Sequence, residues 1–542
     1  MKKILTSMMT CACLIGFSAC DSFLDEEPKS TVTSGLFYTN QKQIEQAVNY
    51  LYRNGAPNNT TGAGSAYMGN ITTVNSMLTG YFYNLYEGQE TICEHARKLT
   101  RKGNEAIISK SMDGLWDACY AAINAANKVI KSAADISFDS EASKSQLIAE
   151  AKFFRAWNYF VMVKMWGDVP FYTNVYGEDA EEMQLERTPK ATVLASVISD
   201  LKDAIPALPA GTQADNGMRV PSAAASMLLT EVYMYQGDYT NAASAVKAVV
   251  NSPAHGLTAH NAAFDLNDFD ATRYETAYNT IRKEDGLPET IYAYEFNTSI
   301  SSSGWWPTYA FDTKATGLFN KYSIFERVFT PYNEFLNIYE ANDMRIQPNQ
   351  FFHWEYTHPE SGKTWSAAKD AQTGEYLWPG CWFFYDEQAV ISTGRGEKDR
   401  DVWRYAEALL YAAEAIAGSQ GVTDEAKNYL AQVQARANMD GKTVAEIAAA
   451  LPTDKQAFIE ACWTERLREF PLEFKIWDDC VRTGKFPVID PQVKGKVTYV
   501  NLVGATNGSG ATFQSSDLVW PLSLNEIQRN PYLKQNEGYS EK

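Results

Sequence analysis

The stretch LLTEVYMYQGDYTNAASAVKAVV, residues 228–250, limits the fold of this chain more narrowly than any other. Tyr233, Gly237, Tyr239 and Ala242 stand at positions typical of a tetratricopeptide unit, in which two helices pack across a tight turn. Gly237 permits the turn, and Ala242 lets the helices approach closely. A single pair cannot bury its own apolar face, so further pairs are expected to stack on it.

A second helix pair is predicted at residues 404–438, RYAEALLYAAEAIAGSQGVTDEAKNYLAQVQARAN. An unrelated helical hairpin would explain either pair alone, but two pairs in one chain favour stacked repeats. Helical spacing also marks a first helix with the apolar face Ile44, Ala47, Val48, Leu51 and Tyr52. An irregular stretch is predicted from Gly55 to about Arg101. Two more helices follow, one with the apolar face Leu115, Cys119, Ile123, Ala126 and Ile130, and one from about Ser143 to Trp166.

Residues 1–19 have the form of a secretory signal, with Lys2 and Lys3 before an apolar segment that is too short to span a bilayer. Phe-Ser-Ala-Cys at 17–20 resembles a bacterial lipobox, which implies cleavage before Cys20 and acylation of its thiol. An ordinary signal peptide with a chance cysteine is the alternative. We expect Cys20 to be the lipidation site, so that acyl chains anchor the protein in a membrane.

Residues 20–39 are expected to form an acidic, lipidated tether. Asp21, Asp25, Glu26 and Glu27 resemble the acidic export signal of Bacteroidota surface lipoproteins. This pattern predicts a lipid-anchored protein of the outer membrane that faces the cell surface. In enteric bacteria, Asp21 directly after the cysteine would instead indicate retention at the inner membrane.

Charge and cysteine content exclude several classes of function. The formal net charge of -18 becomes about -20 once Lys2 and Lys3 are removed, and such a surface repels phosphate backbones. Nucleic acid is therefore not an expected partner.

Five cysteines follow Cys20, and an odd number cannot all pair within one chain, so no disulfide framework is predicted. Cys119 and Cys462 lie in helical patterns and are expected to be buried apolar residues.

Residues 253–402 differ from the helical parts, because glycine, proline, asparagine and serine break the periodicity. ETIYAYEFN at 289–297 alternates like a strand. Six tryptophans occur in this window, often beside turn residues, and we expect some of them to face a groove: Trp305, Trp306, Trp354, Trp365, Trp378 and Trp382.

Catalytic and metal-binding patterns are weak. HWEYTH at 353–358 lacks the helical spacing of a zinc protease motif, so both histidines are expected to have a surface or core role. DLNDFD at 265–270 lacks the glycine and terminal glutamate of an EF-hand, and a solvated acidic loop is favoured over a calcium site. We therefore expect no cofactor and no enzymatic activity.

Several motifs, in order, resemble the SusD/RagB-like nutrient-binding lipoproteins of Bacteroidota. AEAKFFRAWNYFVMVKMWGDVPF at 149–171 resembles their signature helix and its exit, and VWPLSLNEIQRNPYLKQNEGY at 519–539 resembles their closing motif. Between these two motifs, ERLREFPLEFKIWDDCVRTGK at 465–485 departs from the pattern at Pro471 and Leu472. Proline interrupts a helix, so we expect a kink or break near residues 468–472.

The resemblance implies a mainly α protein with a scaffold of about four tetratricopeptide-like helix pairs and a large irregular half with short strands. We expect one unit at residues 40–542, with the scaffold at 40–252 and 403–485, the ligand-binding part at 253–402 and a closing segment at 486–542. The implied function is capture of an oligosaccharide, or less often a peptide, for a SusC-like TonB-dependent barrel transporter. A lipid-anchored glycosidase and a protein-binding repeat scaffold remain as alternatives.

The family motif assigns no ligand-contacting residues in this chain, so they are chosen from the loop aromatics at 79–88 and 305–382. Sugars present C–H faces that stack on aromatic rings. Our choice of stacking residues is Tyr81, Tyr83, Trp305, Trp306 and Trp378. Asn84 and Asp312 are predicted to form hydrogen bonds with sugar hydroxyl groups.

Overall fold

The fold is mainly helical. The computed structural model describes residues 38–55, 71–84, 91–176, 184–269, 275–297, 299, 306–312, 314–315, 329–391 and 396–541. The α-helices are α1 (Gln41–Asn54), α2 (Ile71–Met77), α3 (Thr91–Arg97), α4 (Glu105–Ala133), α5 (Glu141–Trp166), α6 (Lys190–Ala204), α7 (Ser222–Gln236), α8 (Tyr239–Val250), α9 (Ala277–Lys283), α10 (Glu387–Ile391), α11 (Tyr405–Gln420), α12 (Asp424–Ala437), α13 (Val444–Ala450), α14 (Lys455–Glu469), α15 (Ile476–Thr483) and α16 (Leu524–Arg529).

The strands are short and pair antiparallel in twos. They are β1 (Phe82–Tyr83) with β5 (Thr330–Pro331), β2 (Val169–Pro170) with β3 (Arg187–Thr188), β4 (Thr290–Tyr294) with β8 (Arg400–Arg404), β6 (Glu355–Thr357) with β7 (Thr364–Ser366), and β9 (Lys485–Ile489) with β10 (Val497–Asn501). The predicted strand at 289–297 is therefore β4, which is shorter than its alternating pattern.

Both helix pairs predicted from the sequence are present and stack on each other. Gly237 ends α7 in the left-handed region at φ 72°, which glycine adopts without the steric cost of a Cβ atom. Ala242 of α8 is completely buried, as expected of a residue at a close helix contact. Helix α8 packs on α11, and α11 packs on α12, so the two pairs share one apolar core although they are distant in sequence.

The signature helix α5 lies at the centre of the protein. It packs on α4 and α6, and it is buried on more than one side. Its buried residues include Ala149, Phe153 and Trp157. Ser140 caps its first turn by accepting a hydrogen bond from the backbone N–H of Ser143 at 3.1 Å. At the other end, Gly167 has φ 74° and closes the helix. The helix predicted from about Ser143 to Trp166 is therefore confirmed, and it is part of the core.

Two sequence predictions near loops have opposite outcomes. The stretch from Gly55 to about Arg101 was expected to be irregular, and this is wrong for α2 and α3. Each of these helices has only seven residues, too few for a clear periodic pattern. The break near Pro471 is confirmed, because α14 ends at Glu469 and α15 begins at Ile476.

Buried ion pairs fix the irregular part of the chain to the helices. Glu469 at the end of α14 is fully buried and accepts hydrogen bonds from three guanidinium groups, those of Arg345 at 2.9 Å, Arg404 at 3.1 Å and Arg436 at 2.7 Å. Glu289 pairs with the last two of these arginines. Arg404 ends β8 and Arg345 lies in a short 3₁₀ turn at Met344–Ile346, so these charges join both segments to the scaffold.

Two further observations concern anchoring and thiols. Within the described residues, no helix combines the length and apolar character needed to cross a membrane. Cys119 and Cys462 are completely buried, and burial raises the pKa of both thiols. The prediction that these two cysteines are apolar filling residues is confirmed.

Candidate functional site

An aromatic cluster forms where β1 meets β5. Tyr83 of β1 lies opposite Thr330 of β5, and its ring contacts the ring of Tyr332 with a centroid separation of 4.8 Å. The ring of Trp378 meets Tyr83 edge to face at 5.9 Å. Tyr332 and Trp378 are partly exposed, whereas Tyr83 is almost fully buried beneath them. We call Tyr83, Tyr332 and Trp378 the aromatic patch.

The two side chains of β1 point to opposite faces, one toward the core and one toward this patch. Phe82 points away from the patch and stacks on Phe329 with a centroid separation of 4.3 Å. Successive side chains of a strand point to opposite faces, so Tyr83 is directed to the other side. A two-residue strand thus supplies one ring to the core and one to the patch.

Asn333 holds Trp378 in position. Its side-chain Oδ1 accepts a hydrogen bond from the backbone N–H of Trp378 at 2.9 Å, and its Nδ2 donates one to the carbonyl oxygen of Tyr376 at 2.7 Å. Trp378 itself has φ 55°, a conformation that costs energy for a residue with a bulky side chain. Strained backbone of this kind is often retained where a side chain must be presented for function.

The neighbouring β5 segment is also fixed. The hydroxyl of Thr330 donates a hydrogen bond to the carbonyl oxygen of Pro379 at 2.8 Å, next to Trp378. The hydroxyl of Tyr332 accepts a hydrogen bond from Nη1 of Arg97 at 3.2 Å. The patch is therefore a rigid platform, with two partly exposed rings and a guanidinium at its side.

Not all predicted stacking residues lie at this platform. Tyr81 is 8% exposed, its ring stacks on Phe486 at 5.5 Å, and its hydroxyl donates to the carbonyl oxygen of Pro487 at 2.7 Å. Burial raises the pKa of Tyr81. The expectation that this ring is exposed is wrong, because residues from the distant β9 strand cover it.

Trp306 is partly exposed but has different neighbours. Its ring stacks on Phe384 at 5.9 Å and lies 4.7 Å below the guanidinium of Arg400. Trp305 falls outside the described residues. The ligand contacts predicted for Trp305, Trp306, Tyr83 and Trp378 stay predictions.

The two predicted hydrogen-bonding residues are interior. Asn84 follows Tyr83 at the end of β1 and is 1% exposed. Asp312 is 4% exposed and accepts hydrogen bonds from the indole N–H of Trp365 at 2.7 Å and from the backbone N–H of Lys314 at 3.0 Å. The carboxylate of Asp312 thus has protein donors, so the structure favours a packing role over contact with a sugar.

Two of the other loop tryptophans form a second core. Trp365 and Trp382 are buried with Phe311 and Tyr385, and Trp354 packs partly buried against the same cluster. Trp365 and Trp382 are therefore not among the loop tryptophans that could face a groove. In a segment with few helices, these large rings provide the apolar interior that regular elements provide elsewhere.

Histidines and acids do not assemble into a metal centre in the part of the chain that the structure describes. His353 and His358 are both buried, and the ring of His353 packs against Trp365 and Trp382, so the core role is the correct one. Asp265 accepts a hydrogen bond from the backbone N–H of Asn267 at 2.9 Å and closes a short turn.

Sequence reasoning missed Tyr332 and Asn333. Both follow Pro331 directly in the segment TPYNEF, and an aromatic ring next to asparagine after a proline was an available turn signal. What the sequence does not reveal is the pairing of this segment with β1.

Comparisons with known proteins relate nearly the whole chain to one family. The model described as "SusD family" matches residues 292–539, and the model described as "Starch-binding associating with outer membrane" matches residues 22–234. The SusD-like protein P2 of Formosa agariphila is 26% identical over 85% of this chain and 87% of its own length. A SusD-like protein of Bacteroides ovatus is 24% identical over 89% of this chain and 82% of its own.

Solved structures of similar proteins have the same fold as this chain. A SusD superfamily protein from Parabacteroides distasonis has a TM-score of 0.74 at 23% identity, covering 92% of this chain and 99% of its own. The surface glycan-binding protein A from Bacteroides thetaiotaomicron, in complex with laminarihexaose, has a TM-score of 0.65 at 20% identity and covers 92% and 100%.

Proposed function

Because the chain belongs to the SusD family, we propose that it is a cell-surface lipoprotein that binds an oligosaccharide and delivers it to a TonB-dependent outer-membrane transporter. Membership of this family confirms the prediction that the chain is not an enzyme. Glycan binding is supported by structural neighbours that are surface glycan-binding proteins, one of which was solved with laminarihexaose.

The observation that carries the proposal is the aromatic patch. The ring of Trp378 is partly exposed and its backbone is held by Asn333, and the partly exposed ring of Tyr332 contacts the same Tyr83 ring. Sugar rings present C–H faces that pack on such surfaces, and their hydroxyl groups need hydrogen-bond partners at the edge of the stack. The buried guanidinium of Arg97 donates a hydrogen bond to the hydroxyl of Tyr332 and so holds that ring in place at the edge.

The proposed site is small and rigid, which suits recognition of one or two sugar units of a longer chain. Its rings are positioned by the β1 and β5 pair and by Asn333 before any ligand arrives, so little conformational entropy is lost on binding.

Purified protein without its signal peptide would be titrated by calorimetry with a panel of soluble oligosaccharides that includes laminarihexaose. Binding of at least one oligosaccharide supports the function. The absence of heat with every member of a broad panel would contradict it. Release of reducing ends from the same panel would instead reveal a glycosidase.

The anchor and the transporter are the remaining parts of the proposal. Acylation of Cys20 would tether the protein to the outer membrane through the acidic segment at 20–39. Co-purification of the lipidated protein with a barrel transporter from its own outer membrane would test the partnership. Purified protein that carries no barrel transporter with it would contradict the partnership.

A further inference from the structure

A cavity of about 70 Å³ lies between helix α5, strand β8 and the segment before α15. This volume is several times the roughly 10–15 Å³ that one water molecule needs. The side chains that decide its chemistry are Trp157, Tyr294, Trp306, Arg400, Trp403 and Phe474. It shares none of its lining with the aromatic patch at Tyr83.

Arg400 lines this cavity, and its guanidinium has few hydrogen-bond partners. Its guanidinium lies over the rings of Trp306 at 4.7 Å and Phe384 at 4.6 Å, so aromatic rings cover its planar surface. Its single hydrogen bond to described residues runs from Nη2 to the carbonyl oxygen of Leu472 at 3.5 Å, the limit of such an interaction. Arg400 forms no ion pair within the described part of the chain.

The environment of Arg400 is costly for a positive charge. Burial, the largest cause, lowers the pKa of Arg400 to about 10, while Glu473 and Asp401 act in the opposite direction. The group therefore stays charged at neutral pH. The side chain of Arg400 is only partly buried, and a guanidinium without an ion-pair partner can contact a carboxylate through two parallel hydrogen bonds.

Trp403 contributes a second unused donor from the same strand. The side chain is 1% exposed, and its indole Nε1 has no hydrogen-bond acceptor among the residues that the structure describes. Buried N–H groups are nearly always paired, and Trp403 is one of the residues that line the cavity.

The other cations of the cavity already have partners. Lys164 pairs with Asp478 at 2.5 Å. Lys475 pairs with Glu407 at 3.1 Å and donates to the carbonyl oxygen of Val402 at 2.7 Å.

The acids of the cavity wall also have partners. Glu473 is held by Arg404 at 2.6 Å, and Asp401 accepts a hydrogen bond from the hydroxyl of Thr290 at 2.7 Å. Burial raises the pKa of Glu231, which lies 3.8 Å from Lys475. The donors without a close partner are thus Arg400 and Trp403.

We propose that this cavity is a second binding site, which takes a carboxylate carried on a small ring or chain. The carboxylate accepts hydrogen bonds from Arg400 and from the indole N–H of Trp403, and the carbon skeleton packs against the rings of Trp157, Tyr294 and Phe474. Two kinds of molecule carry this chemistry, a uronic acid and a free amino acid. The site does not depend on oligosaccharide binding at the aromatic patch.

Calorimetric titration with sodium glucuronate, with L-alanine and with glucose tests the proposal on the protein without its signal peptide. Glucuronate or alanine should bind, and glucose, which has a similar ring but no carboxylate, should not. Binding of glucuronate alone identifies a uronic acid site, and binding of alanine alone identifies an amino acid site. Failure of both carboxylates to bind at about 10 mM, or equal binding of glucose, overturns the proposal.

Two variants assign the binding to the cavity. Arg400→Gln keeps a hydrogen-bonding side chain without charge and should weaken carboxylate binding by about tenfold or more. Trp403→Phe removes the N–H and keeps an aromatic ring, and it should weaken binding by several-fold. Trp378→Ala, at the aromatic patch, is the control and should bind the carboxylate like the parent. If Arg400→Gln does not fold, Trp403→Phe decides alone, and parental affinity in the folded variants contradicts the proposal.

Discussion

The ring of Trp378 meets the ring of Tyr83 edge to face with their centroids 5.9 Å apart, although the two residues lie in distant parts of the chain. Asn333 fixes the backbone of Trp378 by accepting its N–H, and β5 fixes Tyr83 from the other side. The patch therefore depends on three segments that come together only in the folded protein.

Replacement of Trp157 by alanine should lower the free energy of unfolding by about 3–5 kcal/mol. Its side chain is 4% exposed, stacks on Tyr294 at 5.9 Å and contacts Trp403 at 5.4 Å, so its removal leaves a void in the core. Denaturant unfolding of Trp157→Ala measures the change. Trp378→Ala is the matched control, since that ring is partly exposed, and equal midpoints for both variants would contradict the core assignment.

Loss of charge at Glu469 should cost about 3–5 kcal/mol, because Glu469→Gln leaves three buried guanidinium groups short of an anion. The exposed Glu537→Gln is the control and should stay within about 0.5 kcal/mol of the parent. Thermal and denaturant unfolding would both report the loss. A parental midpoint for Glu469→Gln would show that the arginines find other partners.

Asp399 should make stability depend on pH. Burial, with nearby Asp285 and Glu295, raises the pKa of Asp399 to about 7, and Lys398 and the backbone N–H of Phe296 oppose this. In the unfolded chain the pKa is about 3.9, so the folded state holds the proton more tightly. The stabilisation that Asp399 gives the folded state is therefore complete below about pH 4, and it is lost as the pH rises to about 7.

The variant Asp399→Asn cannot ionise and should lack this loss. Between pH 5 and pH 8 the parent should lose about 1–3 kcal/mol more stability than the variant, a range reduced because the group is partly exposed. Denaturant unfolding across this pH range is the measurement, with the exposed Asp135→Asn as control. Parallel curves for parent and Asp399→Asn would rule out a titrating Asp399.

Lipidation is tested by Cys20→Ala. The variant should fold normally and leave the membrane fraction, because the acyl chains are the proposed anchor. Cys119→Ala, a change at a buried thiol, serves as the control that keeps the anchor. Tight association of Cys20→Ala with membranes that lack the transporter would contradict the lipobox interpretation.

Local patterns predicted the helical scaffold well. The tight turn at Gly237, the apolar faces of α1 and α4, and the break before Pro471 all follow from residues close together in sequence, where periodicity and backbone preference act directly. Helix α2 was missed because seven residues give no clear period.

The candidate site was harder to predict, since its contacts are nonlocal. Tyr81 and Tyr83 look equivalent in sequence, yet β9 covers Tyr81 while Tyr83 lies under Trp378. Tyr332 joins the patch only because β5 pairs with β1. No short-range pattern encodes that pairing.

The central claim is oligosaccharide binding at the aromatic patch, and calorimetric titration of Trp378→Ala tests it most directly. The titrant is an oligosaccharide that the parent binds, with laminarihexaose tried first. Tyr532→Ala, which removes a ring that is 55% exposed and outside the patch, is the matched control. Both variants must first show parental melting. By analogy with bases stacked on aromatic rings, Trp378→Ala should lose about 1–3 kcal/mol of binding free energy while Tyr532→Ala binds like the parent. Parental affinity of a correctly folded Trp378→Ala would contradict the claim.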